Sequence, residues 1–209
     1  MEALFESLPF KENQLYERII SDLTTQKYSI VDDFFTIEEA LELRHSLEAK
    51  LQANLFKTSA IGNKTNEIVK KQVRGDIISW IDEQNKTAEE AQFFSKINSL
   101  ITYLNKTCFL GILSKEFHYA IYPKGTHYLR HVDTFMNDDR RKLSMVCYLN
   151  KEHWTDDLGG HLVLYLKHQE LKIAPQLGRL VIFESQEIAH EVTTVNTERY
   201  SITGWLKTR

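Results

Sequence analysis

Four residues of this chain have the types and spacing to do chemistry. They are His131 and Asp133 in the run RHVD, His190 in IAHEV, and Arg199 in TERYSITGW. Two imidazoles and one carboxylate can hold a non-haem Fe(II) on one face and leave the opposite face open. Arg199 follows His190 by nine residues and can meet a dicarboxylate co-substrate. Together the four point to oxygen activation coupled to consumption of 2-oxoglutarate.

His-x-Asp alone is weak evidence. The chain carries a second such pattern, His168-Gln-Glu170, at a polar turn where no third ligand is in view. His131 by itself also reads as a surface histidine beside a turn, and His190 as a satisfied core histidine. The elements around them strengthen the metal reading. On a strand, residues two apart face the same side, so His131 and Asp133 can both point inward. His190 lies 59 residues downstream, far enough for an antiparallel fold to bring it back beside the first strand. The turn TTVNTE predicts a hairpin of strands 188–193 and 199–206. Arg199, Ser201, Thr203 and Trp205 share one parity on the second strand. An inward guanidinium in an apolar interior costs several kcal/mol unless it is paired, on the order of a buried lone charge. No fixed acid is evident on the neighbouring inward positions, and a bound carboxylate would answer the guanidinium fork. The competing reading is a surface ion pair with Glu198 or Glu191.

The chain changes character near residue 110. Upstream it reads as helical. Leu15, Ile19, Ile20 and Leu23 recur at helical spacing, and Thr36 with Glu39 forms a capping box ahead of IEEALELRHSLEAKLQANLF. YSIVDDFF (28–35) and RGDIISWI (74–81) read as strands, residues 58–73 as a mobile loop, and 87–106 as another helix with Phe94, Ile97 and Leu104 on its apolar stripe. Downstream, eight short strand-like segments alternate with turns such as PKG, NDDRR, DDLGG and QLG. That pattern predicts a sandwich or jelly roll rather than βαβ units. The expectation is one domain over 1–209, with 1–110 as helical support and substrate loop and 111–209 as the core.

Bulk properties narrow the function classes. The chain has 209 residues, net charge -3, 42% hydrophobic and 11% aromatic content. No basic excess argues for nucleic acid or an acidic membrane surface as partner. Cys108 and Cys147 are the only cysteines, too few for a disulfide framework. The N-terminal run MEALFESLPFKENQ does not read as a signal peptide, and no apolar run approaches a membrane span of roughly 18 residues. A cytoplasmic protein, monomeric or weakly dimeric, is expected.

The flanking text resembles the 2-oxoglutarate-dependent prolyl hydroxylases, the hypoxia-inducible-factor branch and its bacterial relatives above all. RGDIISWI, YPKGTHYLRHVD, CYLNKEHW, GGHLVLY, GRLVIFES, HEV and RYSITGW occur in that family's order over roughly residues 74–206. The resemblance implies a mainly β fold: a double-stranded β-helix (jelly-roll, cupin-like) core with helices on the major sheet. It implies Fe(II) held by His131, Asp133 and His190, with 2-oxoglutarate and O2 as co-substrates and ascorbate as a candidate reductant. Arg199 and Tyr148 would hold the distal carboxylate of 2-oxoglutarate. Tyr122 would lie near its chelating end, with Thr203, Trp205, Leu162 and Val146 as walls. Arg74, Asp76 and Arg140 match positions that shape peptide binding, although Asp76 and Arg140 also read as solvated loop charges.

The implied reaction is 4-hydroxylation of a proline in a protein or peptide, releasing succinate and CO2. Another protein side chain, a free amino acid, or a non-catalytic sensor are the alternatives. Collagen-type relatives carry lysine where Arg199 stands. Nucleic-acid demethylases carry a second arginine six residues on, where this chain has Trp205. Two departures stand out. His118 replaces an apolar residue of the animal enzymes, and the loop 58–73 diverges. The family's long C-terminal substrate-covering helix is not expected after the last strand.

Overall fold

In a computed structural model, residues 11–32, 34–59, 72–134, 140–151 and 153–208 are described. The described residues of the N-terminal half form three α-helices: α1 (Gln14–Gln26), α2 (Ile37–Gln52) and α3 (Ala88–Cys108). Each begins at a side-chain cap. Asn13 accepts from Tyr16 N, and Thr36 and Thr87 form capping boxes with Glu39 and Glu90. Helix α2 stops at Gln52, short of the sequence expectation, because Asn54 takes a left-handed φ of 56° and the Asn54 and Leu55 N–H groups turn back onto the Leu51 and Lys50 carbonyls.

Among the described residues eleven strands, three of them interspersed with the helices, form two antiparallel sheets. They are β1 (Tyr28–Val31), β2 (Lys57–Thr58), β3 (Ile77–Trp80), β4 (Ser114–Tyr122), β5 (Tyr128–His131), β6 (Arg141–Tyr148), β7 (Leu162–Tyr165), β8 (Glu170–Ile173), β9 (Leu180–Glu184), β10 (Ala189–Val192) and β11 (Arg199–Lys207). The major sheet has the order β1-β9-β6-β11-β4-β3-β2 and the minor sheet β5-β10-β7-β8. All eight strand-like segments of the C-terminal half are strands. Most of the loop expected at 58–73 lies outside the described residues; Thr58 itself belongs to β2.

The helices cover one face of the major sheet. Ile19, Leu43, Leu47, Phe93, Ile97 and Leu104 meet Phe117, Tyr119, Met145, Ile182 and Ile202 in one apolar cluster. The opposite face, carrying Val146, Tyr148, Val181 and Phe183, meets Leu162, Leu164 and Ile188 of the minor-sheet side. Period-two alternation therefore sends one set of side chains under the helices and the other into the space between sheets. The result is a jelly-roll core with helices on its major sheet.

The hairpin expected from TTVNTE does not form. β10 pairs with β5 and β7, whereas β11 pairs with β4 and β6 in the other sheet. The connection spends its backbone groups elsewhere: Thr193 N donates to His161 O, Val195 N to Thr126 O, and Asn196 N to Leu158 O. These bonds carry the chain across the gap, so that His190 and Arg199 face a common interior from opposing sheets.

Candidate active site

The space between the sheets is a cavity lined by residues from both. In the minor sheet, His190 and His131 are directly opposed partners in the β10–β5 ladder. Their rings lie 4.3 Å apart by centroid. Asp133 is not on the strand as parity suggested. β5 ends at His131 and the chain bends, yet the bend delivers the carboxylate to the same point. Asp133 Oδ1 lies 3.6 Å from His131 Nε2, and Oδ2 lies 3.6 Å from His190 Nε2. One ligand atom from each residue falls within a 4.8 Å group.

The other ring nitrogens are engaged by backbone. His131 Nδ1 is 2.7 Å from Leu129 O, and His190 Nδ1 is 3.2 Å from Ile188 O. A carbonyl can only accept, so Nδ1 carries a proton and Nε2 is the atom turned toward the carboxylate, a donor to it when the ring is charged and a metal ligand when it is neutral. Tyr128 stacks on His131 at 3.6 Å, and the edge of Phe183 meets His190 at 4.7 Å. These contacts fix ring rotation.

Burial alone would raise the Asp133 carboxyl. The imidazoles of His190 and His131 and the Ser144 hydroxyl outweigh it and hold the group well below the usual carboxylate range. Burial pushes His190 down to about 4 against the pull of Asp133. Asp133 ionised and His190 neutral are the forms a divalent cation needs. Ser144 on β6 was not signalled by the sequence; its Oγ donates to Asp133 Oδ2 at 2.6 Å.

Arg199 sits across the cavity, 1% exposed. Its Nε donates to Gly160 O at 2.9 Å and Nη1 lies 3.4 Å from Ser201 Oγ. The guanidinium is 5.0 Å from the ring centres of both Tyr122 and Tyr148. No carboxylate pairs with it among the described residues. Glu198, the rival partner, accepts instead from Tyr200 Oη at 2.7 Å. Tyr148 Oη is buried and close to the guanidinium but has no hydrogen-bond partner, and burial raises its pKa in spite of Arg199. A buried cation beside an unused phenol proton is a fitting receptor for one end of a diacid. A 2-oxoglutarate carboxylate therefore fits the residues present.

Tyr122, Val146, Leu162, Thr203 and Trp205 line the same cavity. So do Arg74 and Asp76, joined by bonds of 2.7 and 2.9 Å. Asp76 is buried, not a solvated loop charge. Arg140 is exposed and is not among the residues that line the cavity. Its neighbour Arg141 lies at the site instead, with the guanidinium 3.5 Å from the centre of the Trp205 ring and Nη1 donating to Asp133 O at 3.1 Å. His168 and Glu170 are exposed at the β7–β8 turn and belong to no metal-sized group among the described residues.

The family model for the 2OG-Fe(II) oxygenase superfamily matches residues 117–207, the stretch that carries all four of the residues first singled out. A Pseudomonas putida prolyl-4-hydroxylase crystal structure superposes with TM-score 0.84 at 32% identity, covering 93% of this chain and 99% of that one. This chain belongs to the 2OG-Fe(II) oxygenase superfamily. A Trichoplax adhaerens prolyl hydroxylase, in complex with a hypoxia-inducible-factor peptide fragment, gives TM-score 0.82 at 30% identity, covering 93% and 89%. Human Egl nine homolog 1 is 30% identical over 198 residues, 90% of this chain and 46% of the human protein. The chain thus spans less than half the length of that curated relative. Membership implies Fe(II), 2-oxoglutarate and O2, and the donor set just described fits them. No helix among the described residues is long and apolar enough to cross a membrane.

Proposed function

We propose that this chain hydroxylates peptidyl proline at C4, using Fe(II), 2-oxoglutarate and O2 and releasing succinate and CO2. One observation carries the reading. A cavity presents a His-Asp-His cluster on one side and, on the other, a buried guanidinium with no carboxylate partner among the described residues. The distal carboxylate of 2-oxoglutarate completes that charge.

In this reading His131, Asp133 and His190 hold the metal through two Nε2 atoms and a carboxylate oxygen. Arg199 and Tyr148 orient the co-substrate from its far end, and Tyr122 contacts it nearer the metal. Val146, Leu162, Thr203 and Trp205 enclose it and limit water. Iron with 2-oxoglutarate supplies the oxidising power: one oxygen atom of O2 enters the substrate C–H bond and the other enters succinate. The protein's own work is positioning and exclusion of solvent.

The substrate class comes from the relatives, one of which holds a peptide. Trp80, half-exposed and 6.5 Å from the Trp205 ring, offers a flat aromatic face for a pyrrolidine ring at the edge of the cavity. Arg74 and Asp76 neutralise each other in the cavity wall, where they would shape the peptide path. Arg140 would act from further out, with Arg141 nearer the site. We read the 209 residues as one domain, because a single apolar cluster joins helices and major sheet. The free thiols Cys108 and Cys147 fit a reducing cytoplasm, and a monomer or weak dimer suffices for this site.

Purified protein with Fe(II), 2-oxoglutarate and a proline peptide library should release succinate and add one oxygen to proline by mass spectrometry. Co-substrate decarboxylation without any proline-dependent turnover, even on a broad proteome extract, would sink the prolyl assignment and leave the oxygenase standing.

A further inference from the structure

One buried group in the cavity has no role in the scheme above. His118 on β4 is 1% exposed, and neither ring nitrogen has a hydrogen-bond partner. Trp80 meets the ring edge-on at 4.9 Å and Trp205 lies 5.6 Å away. Two aromatic neighbours can hold the ring but cannot satisfy it. A buried polar group without a partner destabilises the fold by roughly 1–3 kcal/mol, so its retention in the interior points to a ligand. The charged groups facing it are Arg74, Asp76, Arg141 and Glu116, and none bonds to it.

Strand register says which ligand. Three adjacent strands, β4, β11 and β6, set their inward residues in levels. Trp205 and Ser144 form one level, and Ser144 holds Asp133. Thr203, Val146 and His118 form the next. Ser201, Tyr148 and Ala120 come below it, and Arg199 with Tyr122 is deepest. A diacid running from the metal cluster to Arg199 must pass the His118 level just after leaving the metal.

We propose that His118 hydrogen-bonds the metal-side carboxylate of the bound 2-oxo diacid and so sets co-substrate affinity. A neutral imidazole keeps one N–H, and that donor would reach an oxygen of this carboxylate. The inference rests on the co-substrate reading of the same cavity. His118 acts as a positioning residue here, and the apolar residue of the animal relatives would supply no such bond.

The test is binding rather than turnover. Protein loaded with redox-inert Mn(II) under anaerobic conditions is titrated with 2-oxoglutarate by calorimetry. His118→Met should weaken binding about tenfold, the scale of one lost bond to a charged group. His118→Gln keeps a donor and should stay within about threefold of the parent. Because the imidazole is unsatisfied without ligand, His118→Met should melt no lower than the parent in the metal-free, ligand-free state, so loss of fold does not explain weak binding. Equal affinity of parent and Met variant overturns the proposal, as does equal weakening in the Met and Gln variants. Failure of the parent itself to bind 2-oxoglutarate with metal present would instead overturn the co-substrate reading, and this inference with it.

Discussion

Asp133 lies beyond the end of its strand, so the ladder does not hold its carboxylate in place. Four contacts do: the Ser144 hydroxyl at 2.6 Å, the two imidazoles at 3.6 Å, and the Arg141 guanidinium on the backbone carbonyl. Ser144 is itself braced by Ser185 Oγ at 2.8 Å. Groups that orient a metal-binding carboxylate typically matter by about 10- to 100-fold in affinity. Ser144→Ala should therefore weaken Mn(II) or Fe(II) binding about tenfold, measured by calorimetry, while secondary structure by circular dichroism is unchanged. Unaltered metal affinity would leave Ser144 as packing only. The sequence named the three candidate ligands because their residue types are restricted by the chemistry. Ser144 and Arg141 stayed hidden, since a serine or an arginine on a strand has many ordinary uses. Arg140 and Arg141 are adjacent in sequence, and neighbours on a strand point to opposite faces, so spacing alone does not say which of the two reaches the cavity.

At the scale of elements, the site depends on a chain crossing that periodicity could not reveal. TTVNTE has turn composition, and two strand-like runs flank it, which is the ordinary signature of a hairpin. What decides the outcome is long-range bonding to the segments around Thr126, Leu158 and His161. The crossing also leans on Gly160, whose φ is +67° and whose carbonyl accepts from Arg199. A Cβ there would lie 2.6 Å from Val195 Cγ1 and 2.9 Å from Arg199 Cδ. Alanine would meet both the left-handed backbone cost and the clash, so Arg199 must shift. Gly160→Ala should lower 2-oxoglutarate affinity by about tenfold or more while metal affinity holds. Destabilisation of roughly 1–2 kcal/mol should accompany it. Titration of Mn(II) and then 2-oxoglutarate separates the two effects. Parallel loss of both ligands would mean that the whole cavity collapses, against the local role given to the glycine.

Across the whole molecule, two sheets, one backed by a helical layer, enclose a cavity whose polar groups are largely held in one protonation state. The layered fold could be read from period-two text after residue 110 and amphipathic helices before it. The burial of His118 could not, because a histidine in a strand is as often exposed as enclosed. That burial has a consequence for stability. Burial, reinforced by Arg74 and Arg141, pushes His118 down to about 3, whereas an unfolded histidine titrates near 6.5. Below about pH 6.5 the unfolded chain binds a proton that the folded chain refuses, so stability falls as pH falls toward about 3. The limit is about 1.4 kcal/mol per pH unit for one such group, or about 2 kcal/mol between pH 6.5 and 5. His190, pushed to about 4, acts in the same direction, as do carboxyls held low by their partners, Asp133 and Glu116 among them. His118→Met removes one contribution and leaves the rest. In urea unfolding of the metal-free protein, the parent should lose more stability between pH 7 and pH 5 than the variant, by roughly 1–2 kcal/mol. Identical losses would show that the buried imidazole takes up its proton in the folded state as readily as in the unfolded chain.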